Sequence, residues 1–465
     1  NRYHLPEGDF ALLVDTDPLV VSGKVPVEGV PTHVTWQATS SPAPGQPQSR
    51  YKVSGTVDDA GRKALGYPLD PYVTGPVKAD LTIETSQGAD SRLAAHVDLQ
   101  PAKVDVSELH WSKPVGTAGS FDMNLLAPAN GPLQLSGMSL KSGDFTAQAD
   151  AVVNGSELTS LTAPHVAFGK NDFAVTMNRA QDGTMRMAVQ GRSFDFQPYL
   201  DDIFAPETKS AKPPPPLDLS VRLDSLILAD GEVLQNFSGA GSRRGDLWRN
   251  LDASGRLNGS AAITLHVAPE GTRRKVSGTS DDAGQVVRGV GLSDDTVGGH
   301  FDLSGEIDDD QPDQPIRGRL QMDNFKVVHA PVMAKLLTLA SLTGIVDTLS
   351  GDGIAFVRAD VPFHTRGGKL HIDSARAWGA ALGITATGTV ERGRDGINLN
   401  GTIVPAYTIN RILGAIPLIG SIIVGRQGEG IIGITYSVSG NTGAPKVSVN
   451  PPSAIAPGFL RRIFE

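Results

Sequence analysis

Apolar and polar residues alternate along most of the chain, a pattern that predicts β-strands with one apolar and one polar face. In IIGITYSVSG the alternation places Ile434, Tyr436 and Val438 on one face and small or polar residues on the other. The segments AVTMNRAQDGTMRMAVQG and GITATGTVERGRDGINLNGTIV each join two alternating runs through a turn that contains Asp-Gly, and both predict hairpins. The pattern therefore predicts an all-β fold of antiparallel strands.

Helical periodicity is confined to a few segments. VMAKLLTLASLTGIVDTL (Val332–Leu349) predicts one helix, with a glycine shortly after its end, and YTINRILGAI (Tyr407–Ile416) predicts a second that stops at Pro417. Shorter helical turns are predicted at DDAGRKAL and DDAGQVVRG, where paired aspartates favour a helix N-terminus. With so few helices to cover it, the apolar face of a sheet needs another cover, and lipid tails are a physically sensible one.

An internal repeat organises the chain. YKVSGTVDDAG (Tyr51–Gly61) recurs as RKVSGTSDDAG (Arg274–Gly284) with nine of eleven positions identical, which predicts a duplicated strand–cap–strand module. The Pro-rich stretch FAPETKSAKPPPPLD (Phe204–Asp218) between the copies predicts a stiff connector. We therefore divide the chain into a first β repeat region, the connector, a second β unit and a C-terminal β domain with capping helices, at 1–203, 204–218, 219–310 and 311–465.

Composition narrows the possible partners. The 465 residues include 53 Gly and 32 Pro, which suits many short strands joined by turns. A formal net charge of −9 disfavours a phosphate backbone as partner, so we exclude nucleic acid. The absence of cysteine excludes disulfides, thiolate zinc sites and a Cys nucleophile. The chain begins at Asn1 without Met or an apolar leader, so we expect a processed chain or part of a longer one.

The sequence offers no convincing catalytic motif. HExxH, GxSxG and P-loop patterns are absent, and the glycines of GEGIIG precede a predicted strand rather than the helix that a dinucleotide site needs. The run DDDQPD (Asp308–Asp313) lacks the spaced ligands of a calcium loop, so we interpret it as a solvated turn. The clustered carboxylates of a carbohydrate-active enzyme are also missing. We predict no enzyme activity, no cofactor and no metal.

The most apolar ten residues are IPLIGSIIVG (Ile416–Gly425). The apolar stretch around them runs for 13 residues, from Ile412 to Val424, and is interrupted by a proline. It is shorter than the ~20 residues of a spanning helix. Two interpretations remain open: a hydrophobic plug that closes a terminal core, or a lipid-facing gate with Arg411 and Arg426 near head groups.

The C-terminal region resembles a known family. GTIVPAYTINRILGAIPLIGSIIVGRQGEGIIGITYSVSG, followed by PKVSVNPPSAIAPGFLRR, is similar to the C-terminal region of the bacterial AsmA-like superfamily, nearest its YhdP branch. The KVSGTxDDAG element resembles a recurrent feature of that branch. The resemblance covers roughly Gly239 to Glu465 well and the first half more loosely. Its motifs are signatures of fold, and they specify an activity less well.

The resemblance implies an elongated, strongly curved antiparallel sheet that forms a repeated β-groove with an apolar interior, capped by short amphipathic helices. It implies non-enzymatic transport of glycerophospholipids between the inner and outer membranes through the periplasm, in support of outer-membrane lipid homeostasis. An inner-membrane anchor is expected in an N-terminal part that this chain lacks, and contact with the outer membrane or envelope proteins is possible at the C-terminal end. The alternative is a structural or assembly scaffold of the cell envelope that acts through protein–protein contacts.

The candidate site residues follow from the apolar C-terminal segment and the strand after it. Candidate head-group contacts are Arg411 and Arg426. The candidate lipid-contacting or cap residues are Ile412, Leu413, Ile416, Leu418, Ile419, Ile422, Ile423, Ile434, Tyr436 and Val438.

Overall fold

The structure is a computed structural model, and it confirms the predicted all-β fold with a few short helices. The residues it describes are 9–13, 18–43, 46–86, 88, 90–204, 213–311, 314–339, 342, 345–346, 349, 352–367, 369–391, 396–405, 433–441 and 445–450.

The strands are numbered in chain order. The first fifteen are β1 Asp9–Leu13, β2 Leu19–Val27, β3 Val30–Ala38, β4 Ser49–Val57, β5 Val73–Thr74, β6 Val77–Thr85, β7 Ser91–Asp98, β8 Lys103–Val106, β9 Trp111–Lys113, β10 Gly119–Ala127, β11 Leu133–Ser142, β12 Phe145–Asn154, β13 Glu157–Phe168, β14 Asn171–Arg179 and β15 Met185–Asp195. The remaining strands are β16 Leu217–Ile227, β17 Val233–Arg244, β18 Leu247–Leu257, β19 Ala261–Glu270, β20 Arg273–Ser280, β21 Thr296–Val297, β22 His300–Asp308, β23 Ile316–Val327, β24 Ile354–Arg366, β25 Lys369–Trp378, β26 Leu382–Glu391, β27 Gly396–Pro405, β28 Ile434–Gly440 and β29 Lys446–Asn450.

The chain forms two compact units. The first comprises Asn1–Phe194 with Leu217–Leu219, and the second comprises Asp195–Pro216 with Ser220–Glu465. In the first unit β1, β2, β3, β4, β6, β7 and β10 to β15 pair antiparallel in that order. A separate three-stranded sheet of β5, β8 and β9 is inserted within it. In the second unit β17 to β20 and β22 to β29 pair antiparallel in order.

Both predicted hairpins form. β14 and β15 pair on either side of the Asp182-Gly183 turn, and Gly183 has a φ of 84°, a left-handed conformation that glycine adopts without strain. β26 and β27 pair in full register from Leu382 opposite Pro405 to the far end of both strands. β28 begins directly after Gly433, which confirms a strand after the glycine pattern.

Three short α-helices have both ends within the described residues: α1 Asp59–Ala64, α2 Ala283–Gly289 and α3 Pro331–Leu339. Three 3₁₀ helices accompany them: η1 Ser107–Leu109, η2 Gln197–Phe204 and η3 Ala229–Gly231. None of the helices in the described part of the chain has both the length and the apolar character to cross a membrane.

The prediction of one continuous helix over Val332–Leu349 is wrong, because the helical residues are interrupted. α3 stops at Leu339 and Leu342 is not helical, whereas Ile345, Val346 and Leu349 are helical again. The backbone N–H of Leu342 donates to Leu337 O at 2.8 Å, a bond that satisfies a carbonyl of the last helical turn. The predicted helix Tyr407–Ile416 lies outside the described residues.

The repeated module folds as a strand, a short helix, a two-residue strand and a second strand, β4–α1–β5–β6 in one copy and β20–α2–β21–β22 in the other. The paired aspartates cap both helices, as predicted, but at positions that differ by one residue. Asp58 accepts from Gly61 N in the first copy, whereas Asp282, the equivalent of Asp59, accepts from Gln285 N in the second. Capping therefore tolerates a one-residue shift because either aspartate of the pair can serve.

In each module an arginine of the helix donates a hydrogen bond to a backbone carbonyl of the two-residue strand. Arg62 is 5% exposed and donates to Val73 O at 3.0 Å, and Arg288 donates to Thr296 O at 2.9 Å. Val73 and Thr296 occupy equivalent positions of the two copies. Arg62 and Arg288 do not, since Arg288 lies about one helical turn further along its copy. Arg288 also pairs with the buried Glu232 at 2.8 Å. Both copies thus satisfy the same buried carbonyl with a cation from the helix.

Candidate functional site

The sheet of the first unit carries a continuous apolar row across its strands. Residues directly opposite each other in neighbouring strands share a face, so the pairing register identifies every member. We call this row the first ladder; its twelve residues, one from each paired strand, are Leu12, Val21, Trp36, Tyr51, Ile83, Leu93, Leu125, Leu135, Ala151, Leu161, Met177 and Met187. No polar side chain interrupts it.

Protein atoms cover the first ladder only in part. Leu12 is 57% exposed, whereas Ala151 and Met177 are buried at 7% and 5%. The other nine side chains are of intermediate exposure. Trp36 and Tyr51 stack with their ring centroids 6.3 Å apart, which makes a flat aromatic section within the row. A row of partly exposed apolar side chains across a whole sheet is an unusual use of apolar surface, and such surfaces mark sites of binding.

Two further apolar rows flank the first ladder on the same face. The second ladder contains Val34, Val53, Leu81, Ala95 and Met123 and, after bulges, Met138, Ala149, Ala163, Val175 and Val189. The third contains Ala79, Val97, Phe121, Leu140, Ala147, Val166 and Phe173. Together they make one face of the first unit apolar over several residues' width.

The inserted three-stranded sheet closes one margin of this face. Val104 of β8 is 5% exposed and packs in a cluster with Val77, Leu99 and Ala102. Members of the third ladder, among them Phe121, pack against the same cluster. The third ladder is therefore covered by protein at this margin, which leaves the first and second ladders as the more open part of the apolar face.

The opposite face of the same sheet is polar. One row across it reads Lys24, His33, Ser54, Asp80, His96, Asp122, Ser139, Gln148 and His165. His96 Nδ1 lies 2.6 Å from Asp122 Oδ1, and this hydrogen bond raises the pKa of the imidazole above its ordinary value. The sheet of the first unit thus separates an apolar from a polar surface.

The second unit repeats this two-faced construction. An apolar row free of polar side chains crosses its strands at Gly241, Leu251, Val267, Val276, Gly305, Gly318, Phe363, Ile372, Gly388, Leu399, Val438 and Val447. The Phe363 ring lies over Gly318, where an added Cβ would come within 2.7 Å of it. On the other face a polar row crosses the same strands at Ser254, Thr264, Thr279, Asp302, Gln321, Asp360, Arg376, Thr385, Thr402, Thr435 and Asn450.

Three of the predicted lipid contacts lie in a protein core of the second unit. Ile434, Tyr436 and Val438 are 5%, 7% and 5% exposed, and they belong to one cluster with Leu336 and Leu337 of α3. The predicted alternation of β28 is confirmed, because these three residues share its buried face. The structure covers that face with protein, so lipid contact at these three residues stays a prediction.

Burial also fixes the Tyr436 side chain. Its hydroxyl donates to Thr385 O at 2.7 Å, and desolvation raises the pKa of the phenol. The remaining predicted site residues lie outside the described part of the chain: Arg411, Ile412, Leu413, Ile416, Leu418, Ile419, Ile422, Ile423 and Arg426.

Ionisable groups form structural pairs. The solvated turn predicted at Asp308–Asp313 is wrong for Asp309, which is 7% exposed and pairs with the equally buried Arg274 at 2.8 Å. A buried carboxylate needs such a partner because desolvating an unpaired charge is costly. Within the described ranges no three or more His, Asp or Glu side chains are arranged to hold a metal ion.

The ladders were not among the sequence-based site predictions. The alternation within each strand signals an apolar face, but the rows across strands depend on pairing register. Comparison of the chain with protein-family models, curated proteins and solved structures finds no significant match. The AsmA-like resemblance therefore stays a prediction that rests on the motifs.

Proposed function

We propose that this chain transports glycerophospholipids between membranes without catalysing a reaction, and that it holds their acyl chains along the apolar faces of its sheets. The observation that carries the proposal is the first ladder, a row of apolar side chains that crosses twelve strands without a polar interruption and stays partly exposed. A soluble domain with a purely structural sheet would cover such a face with helices or a second sheet.

The dimensions of the face suit acyl chains. Neighbouring strands lie about 4.8 Å apart, so a row across twelve strands extends for roughly 53 Å. Each methylene that leaves water contributes about 0.8 kcal/mol, so a two-tailed lipid is held strongly without any polar contact. An apolar face distinguishes poorly between lipids, and we therefore expect weak head-group selectivity. The head group remains in water beside the face.

The setting that we propose is the bacterial periplasm, with an inner-membrane anchor in a preceding part of the full-length protein. The absence of cysteine is compatible with an oxidising compartment. The family resemblance implies transport between the inner and outer membranes and does not specify its direction. The alternative function is an envelope scaffold that docks partner strands on its sheet edges.

The test is to purify the chain without detergent, extract it with organic solvent and analyse the extract by mass spectrometry. We expect co-purified phospholipid in the extract and, after delipidation, uptake of fluorescent phospholipid from liposomes. An extract without phospholipid, together with no uptake from liposomes, would contradict the transport proposal and favour the envelope scaffold.

A further inference from the structure

A concavity of about 670 Å³ lies on the polar face of the first unit, on the side of the sheet away from the ladders. Its lining residues come from β3, β4, β6, β7 and β10, and the register places ten of the fourteen on the polar face. The other four, which lie between them along the strands, belong to the second ladder: Val53, Leu81, Ala95 and Met123. A second concavity of about 330 Å³ shares Thr82, Ala94 and Asn124 with it. Ala94 stands opposite Thr82 and Asn124 in the register, and its short side chain leaves this part of the face open.

Two opposite charges face this concavity, from Lys52 and Asp80. Lys52 and Asp80 are both exposed, and among the described residues neither forms a hydrogen bond or an ion pair. Lys52 pairs in register with Thr82, and Asp80 pairs with Ser54, so the two charged residues are diagonal neighbours. Diagonal neighbours are separated by about 7–8 Å at the backbone, a span that one small ligand carrying both charges can bridge.

An ion pair between His96 and Asp122 adjoins them. His96 stands directly opposite Asp80 in the register and is held from its other side by Asp122 at 2.6 Å. The Asp122 hydrogen bond raises the pKa of His96, and the charge of Asp80 adds to the effect. The imidazole of His96 and the carboxylate of Asp122 thus line the concavity together with Lys52 and Asp80, so groups of both signs face it at separate positions.

We propose that this concavity binds a zwitterionic group, one that carries an ammonium and a phosphate or carboxylate a few bonds apart. Asp80 accepts hydrogen bonds from the ammonium, and Lys52 donates to the acidic oxygens. A simple anion would meet the carboxylate of Asp80 and a simple cation would meet the ammonium of Lys52, so the diagonal pair disfavours both. The side chains of Lys52 and Asp80 point to the face opposite the ladders, so binding of a charged group and binding of acyl chains can be tested separately.

The probe is O-phosphoethanolamine, titrated into the whole chain and followed by NMR or calorimetry. We expect saturable binding, with weaker binding of inorganic phosphate alone and of ethanolamine alone. Lys52→Gln and Asp80→Asn should each weaken binding roughly five- to tenfold, because each removes one charge-assisted contact. Both residues are exposed, so folding should be unaffected.

Matched controls are Lys326→Gln and Asp224→Asn, which remove the same charges from exposed strand positions of the second unit. These variants should bind the probe as the unmodified chain does. Inorganic phosphate that binds as tightly as O-phosphoethanolamine, or Lys52 and Asp80 variants that bind like the controls, would overturn the proposal.

Vesicles distinguish the source of the zwitterion. Retention of the chain on phosphatidylethanolamine vesicles, lost in Asp80→Asn, identifies a lipid head group as the ligand. Binding of soluble O-phosphoethanolamine without vesicle retention identifies a free zwitterion. Absence of both refutes the site, and because acyl-chain uptake is measured separately, that result leaves the proposed transport function standing.

Discussion

Val175 and Thr176 offer a direct test of the apolar face, because they are adjacent, similar in shape and on opposite sides of one strand. Val175 belongs to the second ladder between Ala163 and Val189, and it is partly exposed. Thr176 points to the polar face and stands opposite Thr162. Aspartate at either position adds the same charge to the same strand, so Thr176→Asp is the matched control for Val175→Asp.

The expected magnitude follows from the spacing of strands. An acyl chain of ~1.25 Å per methylene that crosses strands about 4.8 Å apart places roughly four methylenes over each strand. At about 0.8 kcal/mol per methylene this contact is worth ~3 kcal/mol per strand, and about half of it, ~1.5 kcal/mol, comes from the protein side. Val175→Asp should therefore weaken lipid retention about tenfold, and Thr176→Asp should leave it unchanged.

The assay is uptake of fluorescent phospholipid from liposomes by each purified variant, with thermal unfolding measured in parallel. Equal uptake by the two variants, at equal thermal stability, would show that acyl chains do not lie on this face. Loss of uptake in both variants would point to a general effect of charge on membrane encounter rather than to the ladder.

Two further predictions concern the repeated module and the polar face. Arg62→Met should lower the free energy of unfolding by about 3 kcal/mol in urea titrations, because buried carbonyls such as Val73 O lose their donor, whereas the exposed Lys63→Met should have little effect. The NMR titration midpoint of His96 should lie above the ordinary value of 6.5 and fall toward it in Asp122→Asn. Because the folded-state pKa is raised, this pair stabilises the fold below pH 6.5, and the contribution disappears as pH rises through the folded-state pKa; an unchanged midpoint in Asp122→Asn would contradict the assignment.

Local sequence signals were sufficient for much of the fold. The Asp182-Gly183 turn and the two aspartate-capped helices depend on contacts a few residues apart, and all three form as predicted. The small sheet of β5, β8 and β9 was missed, because strands of two to four residues are too short to show an alternating pattern.

The ladders could not be predicted from single strands, because they depend on the pairing register between neighbouring strands. Bulges such as that between Asp122 and Asn124 shift the register, and a shift of one residue moves a side chain to the other face. Alternation also could not show what covers an apolar face. Ile434 and Val438 were predicted correctly as one face of a strand, but residues of α3, distant in sequence, pack over them. Charged substitutions there would unfold the core, so the partly exposed Val175 of the second ladder is the better place for a test.

The ladders run across the strands, so the number of strands determines the length of the apolar surface. A ladder runs along the hydrogen-bonding direction, so its length is set by the number of strands and its width by strand length. Each additional hairpin extends it by about 9.6 Å and brings its own apolar and polar residues in the same alternation. Duplication of a hairpin or of the β4–α1–β5–β6 module therefore lengthens the apolar surface without any redesign of its chemistry. The length of the apolar surface can therefore change in evolution with the number of hairpins, while the residue types that contact the ligand stay the same.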